Sequence, residues 1–239
     1  MSEGPMRIHK FLAQAGLCSR RDAERLVADG QVLINGKVAA TGQPVDPAVD
    51  VVRCQGREIK PLARTVVLMM NKPKGFLCTN DDSHGGHTVF EMVPPEYAPL
   101  RLFCVGRLDK DSEGLLLLTN DGALANKVMH PSGGVVKRYE VHLNRDYDPK
   151  LTPRLLKGAV EEGERLKFKK VIRNPDVPTQ LEVHLDQGRK REIRRLFEIF
   201  GFHVKVLRRF QIGSLVLRRM PSGDCRPLSR KEIDMIFEN

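Results

Sequence analysis

The chain of 239 residues has no tryptophan and only three tyrosines, so any ring able to stack on a ligand is scarce and each one is a position to account for. No apolar run approaches the roughly 20 residues that a membrane-spanning helix needs. The opening MSEGPMRIHKF has no apolar core, so no secretory signal is expected. The five cysteines (Cys18, Cys54, Cys78, Cys104, Cys225) are odd in number and scattered, with no Cys-x-x-Cys pair. That argues against a disulfide framework and against a structural zinc site, and fits a reducing cytoplasm. No Walker loop and no dinucleotide-type glycine loop is present, nor any internal repeat or low-complexity tract.

What is present is ordinary globular material, 41% hydrophobic and 29% charged, in a length that suits one or two domains. The charge is unbalanced at +10, which calls for a polyanionic partner. Its distribution is more telling than its sum. From Leu185 to Arg219 ten Lys/Arg face three acids, which is +7 of the total. Arg7, Lys10, Arg20, Arg21 and Arg25 form a weaker cluster near the front. Two solvated helix faces would look like this, and so would two grips on one long ligand.

The front reads as a small module. Ile8, Phe11, Leu12 and Ala15 have helical spacing, ended by Gly16. Ser19 opens a second helix with Asp22 as a capping-box partner, Ala23, Leu26 and Val27 as its buried stripe, and Gly30 as its stop. Val32 and Ile34 alternate before Asn35-Gly36, the signature of a type I′ hairpin. IHKFLAQAGLCSRRDAERLVADGQVLINGKV resembles the αL RNA-binding motif first seen in a small-subunit ribosomal protein. The resemblance implies that Arg20, Arg21 and Lys37 face RNA phosphates; the plainer alternative is that the two arginines only solvate a helix start.

Residues 53–65 lack helical periodicity and read as a link, dividing the chain into a front domain over 1–62 and a second over 63–239. Beyond the link, Val66 to Met70, Leu102 to Val105, Leu115 to Thr119, Val135 to Leu143 and Gln180 to Leu185 read as strands, and Asn71 to Gly75 as a turn. Ile193, Leu196, Phe197 and Phe200 mark a helix stopped by Gly201, and Ser229-x-x-Glu232 caps a last one. Strands outnumber helices without regular alternation, which predicts an α+β fold with a mixed, mainly antiparallel sheet.

Between two of these strands lies Gly106-Arg107-Leu108-Asp109-Lys110-Asp111-Ser112-Glu113-Gly114. Its acids begin like a calcium loop, but the twelfth position is Asn120 and the seventh to eleventh are Leu-Leu-Leu-Leu-Thr. A glycosidase would need two opposed carboxylates, which one short loop supplies only by folding oddly. A surface turn with solvated acids is the remaining plain reading. His84-Gly-Gly-His87 reads as a loop rather than a metal pair.

GRLDKDSEGLLLLTNDG (106–122) resembles the catalytic motif of pseudouridine synthases, and NKPKG (71–75), KRYEV (137–141) and QGRKREIRRLFEIFG (187–201) resemble that family's other motifs in order. With the front module, the chain is similar over nearly its whole length to the ribosomal small-subunit synthase A family. TNDDSHGGHTVFEMVP (79–94) looks more like the B branch of that family, whose members act on the large subunit. The resemblance implies isomerisation of a uridine in ribosomal RNA, more so the large-subunit RNA than the small, with no cofactor and no metal. Asp109 would be the nucleophile, Arg194 its paired cation, Tyr139 the ring that stacks on the uracil, and Arg107 a supporting cation. Arg194 could instead be one more phosphate contact, and Tyr139 a core tyrosine. Arg189, Lys190 and Arg191 would bind RNA. Lys190-Arg191-Glu192 stands where the family often has Asn-Arg-Gln, which bears on RNA contacts but leaves Arg194 in place. The expected partner is ribosomal RNA or an assembly intermediate, bound by a monomer; a non-catalytic assembly factor on the same scaffold is the competing reading.

Overall fold

The structure, a computed structural model, describes residues 4–60, 64–80 and 85–238. The described chain forms two compact units. The first comprises the chain up to Val66 with Pro95–Leu102 and Asn120–Gly122, and the second the remainder. His84 lies outside the described residues, as does the expected boundary between residues 62 and 63.

In the first unit β1 (Met6–Arg7) leads into α1 (Ile8–Gln14) and α2 (Arg20–Ala28), followed by β2 (Val32–Ile34), β3 (Lys37–Val38), β4 (Pro44–Val45), β5 (Val52–Cys54) and β6 (Arg57–Ile59). Both helices lay their apolar stripes on one core of Ile8, Phe11, Leu12, Ala23, Val27, Val32 and Val52. The Ser19 hydroxyl caps α2 by accepting from the Asp22 amide at 3.1 Å. The Asp22 carboxylate bonds that hydroxyl rather than the Ser19 amide, so only half of the expected box forms. Asn35 and Gly36 both take positive φ, as a type I′ hairpin requires. The link expectation is corrected over 53–59: β5 and β6 make a second tight hairpin, with Gln55 and Gly56 at positive φ, extending a sheet of order β3-β2-β5-β6.

The second unit contains β7 (Val67–Lys72), β8 (Phe103–Cys104), β9 (Glu113–Thr119), α3 (Gly122–Met129), β10 (Lys137–Leu143), α4 (Thr152–Lys157), β11 (Ala159–Glu161), β12 (Glu164–Leu166), β13 (Lys170–Arg173), β14 (Gln180–Leu185), α5 (Glu192–Ile199), β15 (Val204–Ile212), β16 (Leu215–Val216), β17 (Cys225–Pro227) and α6 (Arg230–Met235). Its main sheet runs β13-β14-β10-β15-β9-β7-β17, with β16 on β15 and β8 on β9. Every pairing in it is antiparallel except β15 with β9, so the expected mixed, mainly antiparallel α+β fold is what forms. β7 and β9 each have a neighbour on both sides, and their runs VLMM and LLLL are buried on both faces. β10 alternates instead, with Tyr139, Val141 and Leu143 inward and Arg138, Glu140 and His142 half-exposed.

One reading of this unit is corrected, and two of its elements had no counterpart in the sequence reading. Asn71 and Lys72 belong to β7, so the predicted turn starts only at Pro73. Residues 122–129 are helical, although their GALANKVM begins on a glycine. Residues 204–212 form the longest strand, its alternation masked in sequence by the pair Arg208-Arg209.

Candidate active site

The loop 106–112 joins β8 to β9, and it is tied down from beneath. Lys72, fully buried at the end of β7, donates from Nζ to the carbonyls of Pro73 (3.0 Å), Asp109 (3.1 Å), Lys110 (3.3 Å) and Ser112 (2.7 Å). An ammonium can satisfy itself on backbone oxygens alone, and here it gathers three of the loop's carbonyls onto one charge. Burial pushes its pKa down, while Cys78, Asp109, Asp111 and Glu113 pull the other way. The amide of Ser112 turns back onto the Asp109 carbonyl at 3.0 Å, and that of Gly75 onto the Lys110 carbonyl at 2.8 Å.

The loop ends at Gly114, which lies between Lys72 on β7 and Arg209 on β15. Its φ is +105°, and a Cβ there would meet the Arg209 carbonyl oxygen at 2.2 Å. Only glycine allows this approach of two backbones. The glycine of the motif is thereby explained by packing.

Asp109 keeps a third of its side chain exposed, with Arg191 Nη1 and Arg194 Nε each 4.0 Å from Oδ2. Arg194 is 10% exposed and held by Nη1 on the Val204 carbonyl (2.8 Å) and Nη2 on the Asp111 carbonyl (3.3 Å). Its Nε is buried with no hydrogen-bond acceptor, free to tighten onto the carboxylate. Burial, followed by the neighbouring Arg191, lowers its pKa, and Asp109 and Asp111 oppose them. Arg191 is placed by an αL backbone at the start of α5. Glu192, the unusual acid, is buried. It accepts from Gln187 Nε2 (2.6 Å) and the Arg189 amide (3.0 Å), organising the loop before α5 rather than meeting a ligand; burial raises its pKa despite these bonds.

Above Asp109 opens a cavity of about 650 Å³. Its floor is Tyr139 and Lys137 of β10 with Leu207 and Arg209 of β15, and its rim includes Arg107, Lys190 and Arg191. That volume and this apolar-to-polar lining suit one small ring system. Asp109, Tyr139, Arg191 and Arg194 are thus brought together. Arg107 is exposed and lines the cavity, but the cations paired with Asp109 come from α5 and its preceding residue. Arg189 is half-buried and 3.3 Å from Glu164, while Lys190 is exposed. Lys72, Lys137 and Arg209 had no role in the sequence reading. Lys137 lies two residues before Tyr139, on the same face, and burial together with Arg209 pushes its pKa down to about 8. The thiols of Cys78 and Cys104 bond each other beside this loop, lowering Cys78 and raising Cys104.

In the first unit Arg20, Arg21 and Lys37 are all exposed. Arg20 Nη2 lies 3.2 Å from His9 Nε2, which steadies it at the N-terminus of α2. Among the described residues no helix is long and apolar enough to cross a membrane, and no three His, Cys, Asp or Glu gather as for a metal ion.

A mixed sheet with an anchored acidic loop, a buried arginine beside its aspartate and a tyrosine-floored cavity defines a catalytic domain. Residues 66–198 match the RNA pseudouridylate synthase family, and residues 6–51 match the S4 domain. An RNA pseudouridine synthase of Aquifex aeolicus is 36% identical over 98% of this chain and 94% of its own. Ribosomal large subunit pseudouridine synthase B of Vibrio cholerae is 36% identical over 97% of this chain and 74% of its own. A crystal structure of a pseudouridylate synthase superposes with a TM-score of 0.70 at 27% identity, covering 97% and 99% of the two chains. The chain belongs to the RNA pseudouridine synthase family, and carries an S4 domain in front of the synthase domain.

Proposed function

We propose that this enzyme isomerises a specific uridine of large-subunit ribosomal RNA, with Asp109 as the nucleophile. The observation that carries the assignment is the carboxylate of Asp109 at the cavity edge, partly solvated and flanked at 4.0 Å by two arginines. A nucleophilic carboxylate must stay ionised, and adjacent guanidinium groups favour that form. Arg194, buried and pinned by two carbonyls, holds the carboxylate's direction. Tyr139 offers its ring to a base flipped into the cavity, and stacking of that kind is worth about 1–3 kcal/mol, comparable with the cost of extrusion. Arg107, Arg189, Lys190 and Arg191 meet the phosphates that flank the flipped nucleotide. Arg20, Arg21 and Lys37 hold a second stretch of the RNA on a domain folding over residues 1–62, with the synthase domain over 63–239. The reaction breaks N1–C1′, turns the base and joins C5 to C1′; a proton leaves C5 and one is gained at N1, so no redox partner is required.

The choice of large-subunit RNA is supported by the B-type relatives, whose names specify the large subunit. The enzyme would work as a cytoplasmic monomer on ribosomal RNA or an assembly intermediate. Mapping pseudouridines in both ribosomal RNAs, with and without the gene, tests the reading. One large-subunit position should vanish. A loss confined to small-subunit RNA would reassign the substrate, and unchanged maps would leave only the non-catalytic reading.

A further inference from the structure

Arg209 is the feature that the proposed reaction leaves unused. It is 3% exposed, lines the cavity floor, and sits directly across the strand pair from Tyr139. Its Nε donates to the Leu115 carbonyl at 2.8 Å, whereas Nη2 is buried without any acceptor. None of the ion pairs among the described residues includes it. Beside it stands Lys137, whose own acidity is perturbed by this guanidinium, and whose one bond is to the Val128 carbonyl at 3.4 Å. A buried cation lacking a carboxylate is unfavourable for folding, and a second cation next to it makes matters worse. Such an arrangement persists where a ligand supplies the missing negative charge.

The position selects the ligand. Phosphates are reached by the exposed cations at the rim, whereas Arg209 lies beside the ring of Tyr139. There a flipped uracil would place its carbonyl edge. When N1–C1′ breaks, the bonding electron pair leaves with the base, and the charge spreads over N1 and the two ring carbonyl oxygens. We infer that Arg209, with Lys137 beside it, binds a carbonyl oxygen of the detached uracil and holds its negative charge until C5 attacks C1′. This rests on the isomerase reading above. Arg209 is then a catalytic residue of the electrostatic kind, a fixed donor aimed where charge develops in a water-poor site. The parallel pairing with Gly114 fixes its backbone directly beside the end of the Asp109 loop.

A leaving-group experiment tests this. Large-subunit ribosomal RNA transcripts are made with uridine or with 5-fluorouridine, whose fluorine stabilises the departing base by itself. Loss of the N-linked nucleoside is followed in single turnover for the wild type, Arg209→Met and Arg209→Lys. Arg209→Met should slow the uridine transcript about 10²- to 10³-fold, the scale of losing one such donor. It should slow the fluorinated transcript at least tenfold less, with RNA affinity within a few-fold of wild type. Arg209→Lys should fall between, and it carries the comparison if the Met variant does not fold. Equal slowing of both transcripts would overturn the inference. So would a loss seen only in affinity, which would mark a phosphate contact. A wild type inert on the uridine transcript would instead overturn the reading of the substrate.

Discussion

The two basic stretches of this chain have opposite fates. At the front, Arg20, Arg21 and Lys37 stay in solvent. Between Leu185 and Arg219, three of the ten cations are drawn furthest inward, each to different partners. Arg194 faces Asp109 and two carbonyls. Arg195, its neighbour, turns the other way to Glu161 at 2.5 Å and Glu164 at 2.7 Å, bracing the β11–β12 hairpin. Arg209 meets one carbonyl and the cavity. Equal charge in sequence thus separates into cations left in solvent, cations at the cavity and its aspartate, and one that ties down a hairpin. Burial and partner make the separation, not the count.

The comparison can be broken in five places. Asp109→Asn should cut single-turnover product formation on the order of 10³-fold or more, with RNA affinity within a few-fold. Persistent turnover would dissolve the distinction between a chemical and a binding region. Arg194→Ala should cost on the order of 10²-fold in the same assay, because the carboxylate loses its buried partner; a change in affinity alone would move Arg194 to the binding class.

Lys137 gives a stability readout. Its folded pKa, about 8, lies below that of the unfolded chain, so between those values the unfolded state holds more protons. Stability from this group is therefore lowest below pH 8 and rises as pH climbs from there towards 10. Lys137→Met should be more stable than wild type at pH 7 by on the order of 3 kcal/mol, with the gap closing by about pH 10. Urea unfolding at the two pH values measures it, and a gap independent of pH would mean the cation is not held against its environment.

Replacing Arg20 and Arg21 with Ala should shallow the log-affinity against log-salt slope by roughly 1.4 to 1.8, or 0.7–0.9 for each phosphate no longer neutralised. An unchanged slope would remove the front module from the RNA. Arg195→Ala, the smallest effect on chemistry, should lower the thermal midpoint and leave the rate per folded molecule within twofold. A lost rate at unchanged stability would contradict its bracing role.

Local devices were legible in the residues themselves. Asn35-Gly36, the Ser19 cap and the Ser229–Glu232 box each act over a few neighbours, and each forms where the sequence puts it, Ser19 with half its box. The helix over 122–129 was not legible, since it begins on a glycine and is fixed by packing Ala125 and Val128 into the core. Asp109 stood out only through the motif around it; nothing in its spacing distinguishes it from Asp111. Lys72 and Arg209 were hidden for a single physical reason. A charged residue in a strand reads as solvent-facing, and the contacts that justify burying it come from segments some 40 to 95 residues away along the chain.

The pairing of β9 with β15 also bears on when this enzyme comes into being. It is the one parallel pair among the named strands, and it joins Gly114 to Arg209 across most of the synthase domain. Contacts so far apart form late, because a long intervening loop must close first. Arg194, Arg209 and the strand that carries the latter all reside in the last fifth of the chain. A growing polypeptide that has already exposed its S4 domain can therefore meet RNA while still lacking the second wall of its cavity. It would be a binder before it is an enzyme.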